Sequence, residues 1–497
     1  MTNKPVSLIQ LTNLKDNKEL SEAFVRYIAG LPPESKYRHQ EIEGISLLLK
    51  NLELSDDQCS GFIYGYTIPQ FNQEFDLLKI SVNNIINIEL KSGEKPRDEI
   101  EKQLKRHEHF LKMLPGAKFL FTYVSSENKL YKLVNGLLVD CSFGELQAFL
   151  SSSEPLSMDL DEEFAPKNVL VSPLNDTEKF INGNYLLTDN QENIKKEILD
   201  QIHGSSSPLF YGLTGMPGTG KTLLLYDIAL TLSKQKSVLI VHGGNLNEGH
   251  VKLQEKLQNI VICAAKDLSK NLSEKVDCIL VDEAQRLYVT ALSDVQNSTI
   301  GTNGFCLFSY DPEQRLSHAE NNRLTVKNIE SLCKENIKRL TVKIRTNKEV
   351  ALFVKCLFNL KDYQKGFSFP HIKVFFEPNK AKAVHLAKSL YEQGYQYIAL
   401  TPSIHDHELD YQDGRKNTHT VIGQEFDKVC MIINEHFSYD DKGHLVEAKR
   451  HPCPNYICTK LLYQGLTRAR TGIALVVTTE HLLEKILTLL QDTENDR

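Results

Sequence analysis

The chain has 497 residues, an apolar fraction of 41% and a formal net charge of −6. This length predicts roughly three domains with sizeable cores. The net negative charge excludes a strong overall attraction to nucleic acid, so any nucleic acid would have to bind at local basic patches. The absence of an 18-residue apolar stretch and of an apolar N-terminal run argues against a membrane span and a secretion signal, and predicts a cytoplasmic protein.

The first 150 residues predict an α/β domain. A helix is expected from about Glu34 to Leu52, and a second one in the sequence EIEKQLKRHEHFLKML. Four strand-like runs are expected at residues 60–68, 74–81, 85–92 and 118–124. The second helix therefore connects the last two strands.

Acidic and basic side chains occupy two of these strands. Asp76 lies in the second strand, and Glu89 and Lys91 lie two residues apart in the third, so that both face one side of the sheet. Two carboxylates and a lysine on one surface can bind Mg²⁺ and prepare a water molecule to attack a phosphodiester. Candidates on the flanking helices are Glu41 or Glu43 as a third carboxylate, Gln103 near the site, and Lys105 or Arg106 for phosphates.

A change of composition separates this region from the rest of the chain. The segment SSSEPLSMDLDEEFAPKN, residues 151–168, is polar and acidic and contains prolines, and we expect a connector over residues 151–185. Beyond it, strand-like runs alternate with helical runs. This alternation predicts parallel sheets covered by helices.

The sequence GLTGMPGTGKTLLL predicts a phosphate-binding loop. Residues from Gly215 to Thr222 fit G-x-x-x-x-G-K-[ST], with a strand-like run before them and a helical run after them. Gly218 and Gly220 would let the backbone N–H groups approach a triphosphate at the helix N-terminus. Lys221 would contact the β- and γ-phosphates, and Thr222 would bind Mg²⁺.

Further polar residues follow or precede predicted strands. In CILVDEAQRL, Asp282 would hold Mg²⁺, and Glu283 would orient or deprotonate the attacking water. Gln191 in YLLTDNQENI suits adenine, because an amide both donates and accepts hydrogen bonds. In GFCLFSYDPEQRLS, Asp311 and Gln314 are candidate γ-phosphate sensors.

Candidate arginines occur in two later motifs. Arg345 lies in LTVKIRTN, and Arg468 and Arg470 lie in LLYQGLTRARTGIALVV. Arginines from a second lobe can neutralise charge on the transferred phosphoryl group. The motif THTVIGQEFDKVCMII carries His419, Gly423, Glu425 and Asp427 ahead of a strand.

The order of these motifs resembles that of a superfamily 1 helicase. The series is LTDNQ, GMPGTGKT, VDEAQ, YDPEQ, IRT, THTVIGQEFD and GLTRAR, and DEAQRL and LLYQGLTRAR are most similar to the Schlafen-like helicase domain of bacterial proteins. The resemblance implies two RecA-like lobes, at residues 186–338 and 339–497, which bind ATP and Mg²⁺ at their interface. It also implies that Gln314 senses the γ-phosphate, that Glu425 belongs to the nucleotide site, and that Arg345 and Arg468 are arginine fingers.

The segment from about Glu34 to Val139 resembles a PD-(D/E)XK nuclease domain, in particular the nuclease-related kind fused to helicases. Phe75-Asp76 stands in place of the PD dipeptide. The resemblance implies a restriction-endonuclease-like α/β domain over residues 1–150. Asp76 and Glu89 would bind Mg²⁺ or Mn²⁺, and Lys91 would act in catalysis.

Together, the motifs predict an ATP-dependent nuclease–helicase that acts on nucleic acid, with DNA preferred and RNA left open. Motors of this kind stack bases on aromatic rings, for which Tyr310 and Phe426 are candidates. Bacterial fusions of this type are often linked to phage defence. One alternative is a nucleic-acid-dependent ATPase whose N-terminal domain only binds substrate or a partner protein, and another is a regulatory switch without unwinding. A homo-oligomer would concentrate the few phosphate contacts of an acidic chain.

Overall fold

The structure is a computed structural model. It describes residues 3–31, 37–68, 71, 73–151, 156, 158–164, 171–204, 206–272, 276–341, 348–363, 368–402, 411, 416–448 and 455–491. The chain divides into two compact units. Unit 1 is Met1–Val169 with Asn184–Asp189, and unit 2 is Leu170–Gly183 with Asn190–Arg497. Over these described ranges, no helix is both long and apolar enough to cross a bilayer.

Unit 1 is built on a six-stranded sheet with strand order β1-β2-β3-β4-β5-β6. The strands are β1 (Phe62–Ile68), β2 (Gln73–Ile80), β3 (Asn84–Lys91), β4 (Ala117–Val124), β5 (Lys129–Val134) and β6 (Leu137–Cys141). The helices are α1 (Leu8–Thr12), α2 (Lys18–Ala29), α3 (His39–Leu49), α4 (Arg97–Leu111), α5 (Phe143–Ser151) and α6 (Leu160–Glu163). Strands β3 and β4 are parallel, with α4 as the crossover, and the other neighbouring pairs are antiparallel. Helices and strands therefore occur at all the predicted positions of this region.

The alternation of side chains along β3 determines which residues enter the core. Ile86 and Ile88 belong to one apolar cluster with Ile42, Ile45 and Leu48 of α3. Because successive residues of a strand point to opposite faces, Asn87, Glu89 and Lys91, which alternate with the apolar residues of β3, face away from that cluster. This alternation directs them toward the site described below.

The β5–β6 hairpin is absent from the sequence prediction, although its signal is present. Asn135 and Gly136 join the two strands with φ values of 48° and 75°. Positive φ at both central residues is what a two-residue type I′ hairpin turn requires, and Asn-Gly is its preferred dipeptide. The strands on either side are largely half-buried, so their apolar alternation is weak.

Unit 2 contains two parallel sheets, as predicted. The first has six strands in the order β12-β7-β11-β10-β8-β9, and the second has four in the order β13-β18-β15-β14. The first sheet comprises β7 (Leu209–Gly215), β8 (Val238–His242), β9 (Ile260–Ala264), β10 (Cys278–Asp282), β11 (Phe305–Tyr310) and β12 (Ile337–Leu340). The second comprises β13 (Ile372–Phe376), β14 (Tyr395–Tyr397), β15 (Phe426–Ile433) and β18 (Ala469–Val477), and β16 (Phe437–Tyr439) pairs with β17 (Leu445–Glu447) in a separate hairpin.

Helices surround both sheets of unit 2. They are α7 (Thr177–Ile181), α8 (Asp189–Gly204), α9 (Lys221–Leu232), α10 (Glu248–Lys256), α11 (Leu268–Asn271), α12 (Val289–Gly301), α13 (His318–Asn322), α14 (Thr325–Cys333), α15 (Lys348–Phe358), α16 (Lys380–Ser389), α17 (Cys458–Leu466) and α18 (Glu480–Gln491). Strands β10 and β11 are buried along their whole length, as expected of parallel strands covered on both faces. The carboxyl ends of these strands meet at one edge of the sheet, which is where ligands bind in open α/β sheets.

Candidate nucleotide site and acidic cavity

An acidic cavity of about 330 Å³ lies in unit 1. Its lining includes the residues predicted from the sequence, namely Glu41, Asp76, Glu89, Lys91 and Gln103. Of the two candidates for a third carboxylate, Glu41 is the one that lines the cavity. Glu43 is largely exposed and lies 3.7 Å from the Nε2 atom of His39. Lys105 pairs with Glu101 on the surface of α4.

The cavity forms where β2 and β3 separate. Their antiparallel pairing extends only as far as Leu77 opposite Ile88. Beyond this pair, the N–H of Asp76 donates to Glu89 Oε1 over 3.3 Å, and the N–H of Leu90 donates to Asp76 Oδ2 over 2.8 Å. Where the two strands separate, these carboxylates thus take the place of the backbone hydrogen bonds between β2 and β3. This exchange holds Asp76 and Glu89 beside each other in a buried position.

Three further polar side chains hold the Glu89 carboxylate. Gln103 donates to Oε2 over 2.6 Å, Asn87 donates to Oε1 over 3.1 Å, and His107 Nδ1 lies 3.2 Å from Oε1. Although burial opposes ionisation, His107 and Lys91 with these hydrogen bonds keep the pKa of Glu89 at about 2. Glu89 is therefore an ionised carboxylate in a fixed position.

Asp76 has the opposite electrostatic environment. Burial raises the pKa of Asp76 well above its ordinary value, and the negative charges of Glu89 and Glu41 raise it further. Burial also raises the pKa of Glu41. A positive ion between these carboxylates would relieve their repulsion.

The donor set of the cavity suits a hard divalent cation. Mg²⁺ takes oxygen ligands and is usually bound through one or two carboxylates, with water and substrate phosphate completing its shell. Asp76 and Glu89 supply two such carboxylates. Within the described parts of the chain, no group of three or more His, Cys, Asp or Glu side chains is arranged to hold a metal by itself.

In unit 2, the backbone of the phosphate loop requires its glycines. Gly218 and Gly220 have φ values of 77° and 84°, in the left-handed region that favours glycine. A Cβ atom at Gly215 would lie 2.6 Å from the carbonyl oxygen of Leu340 and 2.8 Å from Thr219 Oγ1. The glycines therefore allow the tight turns and the close backbone packing that a phosphate-binding loop needs.

The lysine and threonine of the loop lie at the start of α9. Lys221 Nζ donates to the carbonyl oxygens of Gly215 over 2.5 Å and Met216 over 3.1 Å, and it lies 3.8 Å from Asp311 Oδ2. Burial lowers the pKa of Lys221, and neighbouring carboxylates oppose that shift. Thr222 Oγ1 lies 3.2 Å from Asp282 Oδ2, which joins the loop to the end of β10.

The two acidic residues after β10 differ in their surroundings. Asp282 is buried, and although burial opposes ionisation, His242, Ser309 and Thr222 lower its pKa. Glu283 has the left-handed conformation with φ 55° and ψ 40°, which costs a non-glycine residue on the order of 1 kcal/mol. This conformation is typical of residues held in place for function.

An arginine from the second sheet reaches the same site. Arg468 precedes β18, is 7% exposed, and donates through an Nη atom to Gln314 Oε1 over 3.4 Å. It also donates to Gln464 Oε1 over 3.1 Å. The charge of Arg468 adds to the lowering of the Lys221 pKa. The structure thus brings Arg468, Gln314 and the phosphate loop together.

A cavity of about 430 Å³ lies beside the phosphate loop. Met216 and Pro217 of the loop line one part of it, and Phe358, Tyr463 and Thr467 line another. Its volume lies in the range of small-molecule and cofactor pockets.

The outcome differs for three other residues that the sequence predicts at the nucleotide site. Arg345 lies outside the described residues. Gln191 is buried and donates to the carbonyl oxygens of Thr219 and Gly220 over 3.3 and 3.4 Å, so that it braces the phosphate loop. Its role in reading adenine stays a prediction. Glu425 lies 3.3 Å from Arg470, which also pairs with Asp176.

A third cavity of about 250 Å³ lies at the carboxyl ends of β8 and β9. Its lining includes Lys266, Arg286, Tyr288 and His419. Tyr288 is 64% exposed, and the guanidinium carbon of Arg323 lies 3.8 Å from the centre of its ring. The cavity combines an exposed aromatic ring with basic side chains.

The family comparison concerns the first sheet of unit 2 and part of the second sheet. Residues 210–397 match the family model described as Schlafen group 3, DNA/RNA helicase domain. This part of the chain is similar to that helicase domain. The matched range includes Lys221, Thr222, Asp282, Glu283 and Gln314, and ends before Arg468.

Three solved structures also resemble the chain. Pif1 helicase from Candida albicans is 11% identical, with a TM-score of 0.34 over 61% of this chain and 99% of that one. Bacteroides Pif1 with ADP-AlF3 and single-stranded DNA is 13% identical, with a TM-score of 0.34 over 60% of this chain and 94% of that one. A structure of two coordinating Pif1 helicases at forked double-stranded DNA is 13% identical, with a TM-score of 0.33 over 59% of this chain and 92% of that one. No curated protein matches the chain.

Two residues of the nucleotide site were missed in the sequence. Gln285 donates to Glu283 Oε2 over 2.6 Å and accepts the N–H of Asp311 over 3.2 Å, so that it links the ends of β10 and β11. His242 ends β8, pairs in register with Asp282, and places Nδ1 3.8 Å from Asp282 Oδ2. For His242, the signal available in the sequence is its position as a polar residue at the end of β8, the strand next to the one that carries Asp282.

One expectation about aromatic residues is corrected by burial. Tyr310 is a candidate from the sequence to stack on bases, but it is 1% exposed and packs in the core of the first sheet. Phe426 is half-buried, with Lys416 Nζ 4.6 Å from the centre of its ring. Tyr288, which the sequence did not single out, is the more accessible ring.

Proposed function

We propose that unit 2 is an ATP-driven motor of the superfamily 1 helicase type that acts on nucleic acid. The observation that carries this proposal is the contact of Arg468, from the second sheet, with Gln314 beside the phosphate loop. An arginine delivered by a second sheet to the catalytic end of the first is the arrangement in which nucleotide hydrolysis can change the relation of two lobes.

The residues of the site divide the work of hydrolysis. The N–H groups of the loop and Lys221 bind the β- and γ-phosphates. Thr222 and Asp282 would hold Mg²⁺, which supplies charge neutralisation on the phosphates. Glu283 accepts a proton from the attacking water, and Arg468 stabilises the charge of the transferred phosphoryl group.

Gln285 positions Glu283, and we expect its loss to slow catalysis. In Gln285→Ala, Glu283 loses its 2.6 Å hydrogen bond, so kcat for ATP should fall by roughly tenfold to a hundredfold, with a smaller change in KM. Steady-state ATPase kinetics measure both constants. Gln254→Ala is the matched control, because it removes a glutamine that accepts the N–H of Ile262 in the edge strand β9. Equal kcat values for Gln285→Ala and the wild type would contradict the positioning role.

The cavity that holds Tyr288 is the proposed contact with a single strand. Bases stack on exposed aromatic rings, and Lys266 in the cavity lining offers charge to the phosphates. We propose DNA as the substrate, and RNA is the alternative to compare, because a protein distinguishes the two at the 2′-OH.

Tyr288→Ala should weaken nucleic-acid binding. Loss of one stacked base costs about 1–3 kcal/mol, so the affinity for a single strand should fall by at least roughly fivefold. Fluorescence anisotropy with labelled single-stranded DNA measures the change. Tyr391→Ala is the matched control, because Tyr391 is 67% exposed on the second sheet's side of the unit. An unchanged Kd in Tyr288→Ala would remove this ring from the binding site.

For unit 1, we infer metal-dependent cleavage of phosphodiester bonds. Two observations support this inference. Asp76 and Glu89 are held together where β2 and β3 separate, and the Lys91 Nζ atom lies 3.6 Å from Glu89 Oε2. Asp76 and Glu89 would hold Mg²⁺ or Mn²⁺, which supplies an activated water. Lys91 stabilises the nucleophile or the charge that develops on the phosphate.

The second candidate for unit 1 is binding without cleavage. It is favoured by the basic side chains of the cavity lining, Arg38, Lys91 and Lys95, which can contact a phosphate or an acidic partner without a metal. In that case nucleic acid or a partner protein would bind the cavity, and ATP occupancy would regulate this binding.

A substrate panel tests these proposals together. Single- and double-stranded DNA and RNA are incubated with Mg²⁺ or Mn²⁺, with and without ATP, for the wild type, Lys91→Ala and Lys221→Ala. The motor proposal requires polynucleotide-stimulated ATPase that Lys221→Ala loses, and strand displacement separates translocation from simple switching. Cleavage that Lys91→Ala loses supports the nuclease, and no cleavage under any condition favours the binding role. A role in phage defence rests on resemblance alone, and plaque counts on cells with and without the gene test it.

A further inference from the structure

A single arginine lies against the carboxylates of the acidic cavity. Arg38 immediately precedes α3, and its guanidinium contacts three acidic side chains. One Nη atom donates to Glu41 Oε1 over 2.7 Å and lies 4.0 Å from Asp76 Oδ1, and the other donates to Glu74 Oε2 over 2.9 Å. Hydrogen bonding to Glu41 raises the pKa of Arg38, so the side chain is a permanent cation.

Three basic side chains line the cavity, Arg38, Lys91 and Lys95, and ion pairs join Lys91 and Arg38 to its carboxylates. Lys91 lies 3.6 Å from Glu89, and Arg38 balances the other carboxylates. The Asp76 and Glu41 side chains are only 8% and 10% exposed, so their charges are poorly screened by water, whereas Arg38 is 42% exposed. Buried carboxylates need a nearby cation, and Arg38 supplies it.

A divalent ion at the proposed site would share one of these contacts, because Asp76 is both a proposed metal ligand and a neighbour of Arg38. A metal bound to Asp76 and Glu89 would bring two positive charges close to the guanidinium, because Arg38 lies 4.0 Å from an oxygen of Asp76. Like charges at that separation repel, so both cations cannot occupy the site with full contacts. Glu74 lies outside the proposed pair of ligands and would keep Arg38 at the rim when the ion enters.

We propose that Arg38 is a built-in counter-cation of the acidic cavity, which a divalent ion must displace from Asp76 in order to bind. This inference rests on the proposed metal site of unit 1. Arg38 is a regulatory residue in this scheme: it keeps the cavity charge-balanced without metal and sets the concentration of metal at which the site fills.

The test is Mn²⁺ binding to the full-length, nucleotide-free chain, measured by the electron paramagnetic resonance signal of free Mn²⁺. Arg38→Met removes the charge at similar length, so Mn²⁺ should bind roughly fivefold more tightly at the site that Asp76→Asn removes. Arg38→Lys keeps the charge but loses the forked contact, and should give a smaller increase in affinity. Arg97→Met is the matched control, because Arg97 forms a surface pair with Asp140 in the same unit.

The outcomes separate this inference from the proposed metal site. If Asp76→Asn loses a bound Mn²⁺ but Arg38→Met binds it with wild-type or weaker affinity, the counter-cation role is overturned and the metal site stands. If Asp76→Asn binds as much Mn²⁺ as the wild type, the metal site itself is wrong, and the role of Arg38 falls with it. Should Arg38→Met fail to fold, which circular dichroism would show, Arg38→Lys decides between the same outcomes.

Discussion

Glu283→Gln should abolish polynucleotide-stimulated ATP hydrolysis and leave ATP bound. Glutamine has nearly the same shape as glutamate but cannot accept the proton of the attacking water, and loss of a general base costs roughly a hundredfold to ten-thousandfold in rate. Lys221 and Thr222, which bind the phosphates in the proposed site, are unchanged. Steady-state kinetics measure kcat, and a fluorescent ATP analogue measures the Kd.

A neighbouring glutamate provides the control for this experiment. Glu313 follows β11, its side chain is 80% exposed, and it lies 3.8 Å from Lys460. Glu313→Gln makes the same chemical change outside the proposed proton-transfer position, and its kcat should stay within about twofold of the wild type. A Glu283→Gln variant that turns over at the wild-type rate would assign the base to another residue, and Asp311 would be the next candidate because it lies 3.8 Å from Lys221.

The grouping of the candidate nucleotide-site residues was predictable because these residues follow strands. In a parallel sheet, residues at the carboxyl ends of neighbouring strands converge whatever their separation along the chain. Lys221, Asp282 and Gln314 could therefore be assigned from short motifs, and the structure places them at one edge. Gln285 lies in the motif VDEAQ, but its role could not be assigned from the motif, because that role depends on the distance between the ends of β10 and β11.

The acidic cavity was predictable only in part. The spacing of Glu89 and Lys91 fixes the face that they share, since side chains alternate along a strand. The separation of β2 from β3 at Asp76 depends on register and twist, which the apolar pattern does not encode. Arg38 precedes α3 by one residue, and no pattern in the sequence relates it to carboxylates in β2.

The burial of the aromatic rings could not be predicted from the sequence, because it depends on packing. Tyr310 begins the polar motif YDPEQ and Tyr288 follows DEAQRL, and these sequence contexts do not distinguish a core ring from an exposed one. Tyr310 ends β11, a strand buried on both faces, whereas Tyr288 lies beyond β10, just before α12 begins. The prediction that Tyr310 stacks on bases therefore failed at the step from local sequence to layer structure, whereas the same role for Phe426 stays a prediction.

Lys91→Ala should abolish cleavage of nucleic acid by the full-length chain. In the proposed site, the Lys91 ammonium lies 3.6 Å from the Glu89 carboxylate and stabilises negative charge on the nucleophile or the phosphate. Removing a group that stabilises charge in the transition state costs roughly a hundredfold to a thousandfold in rate. Gel analysis of end-labelled DNA with Mg²⁺ or Mn²⁺ measures the rate, and chelation of the metal by EDTA should stop the wild type as well.

Two controls distinguish loss of chemistry from loss of folding or binding. Lys129→Ala removes a lysine of the same unit that pairs with Glu127 at the surface, and its cleavage rate should equal that of the wild type. ATP hydrolysis should persist in Lys91→Ala, because the proposed ATPase residues belong to unit 2. If Lys91→Ala cuts at the wild-type rate, the lysine is not catalytic. If neither protein cuts but Lys91→Ala binds DNA more weakly than the wild type, the cavity is a binding site, because its lysine then serves only to hold the strand.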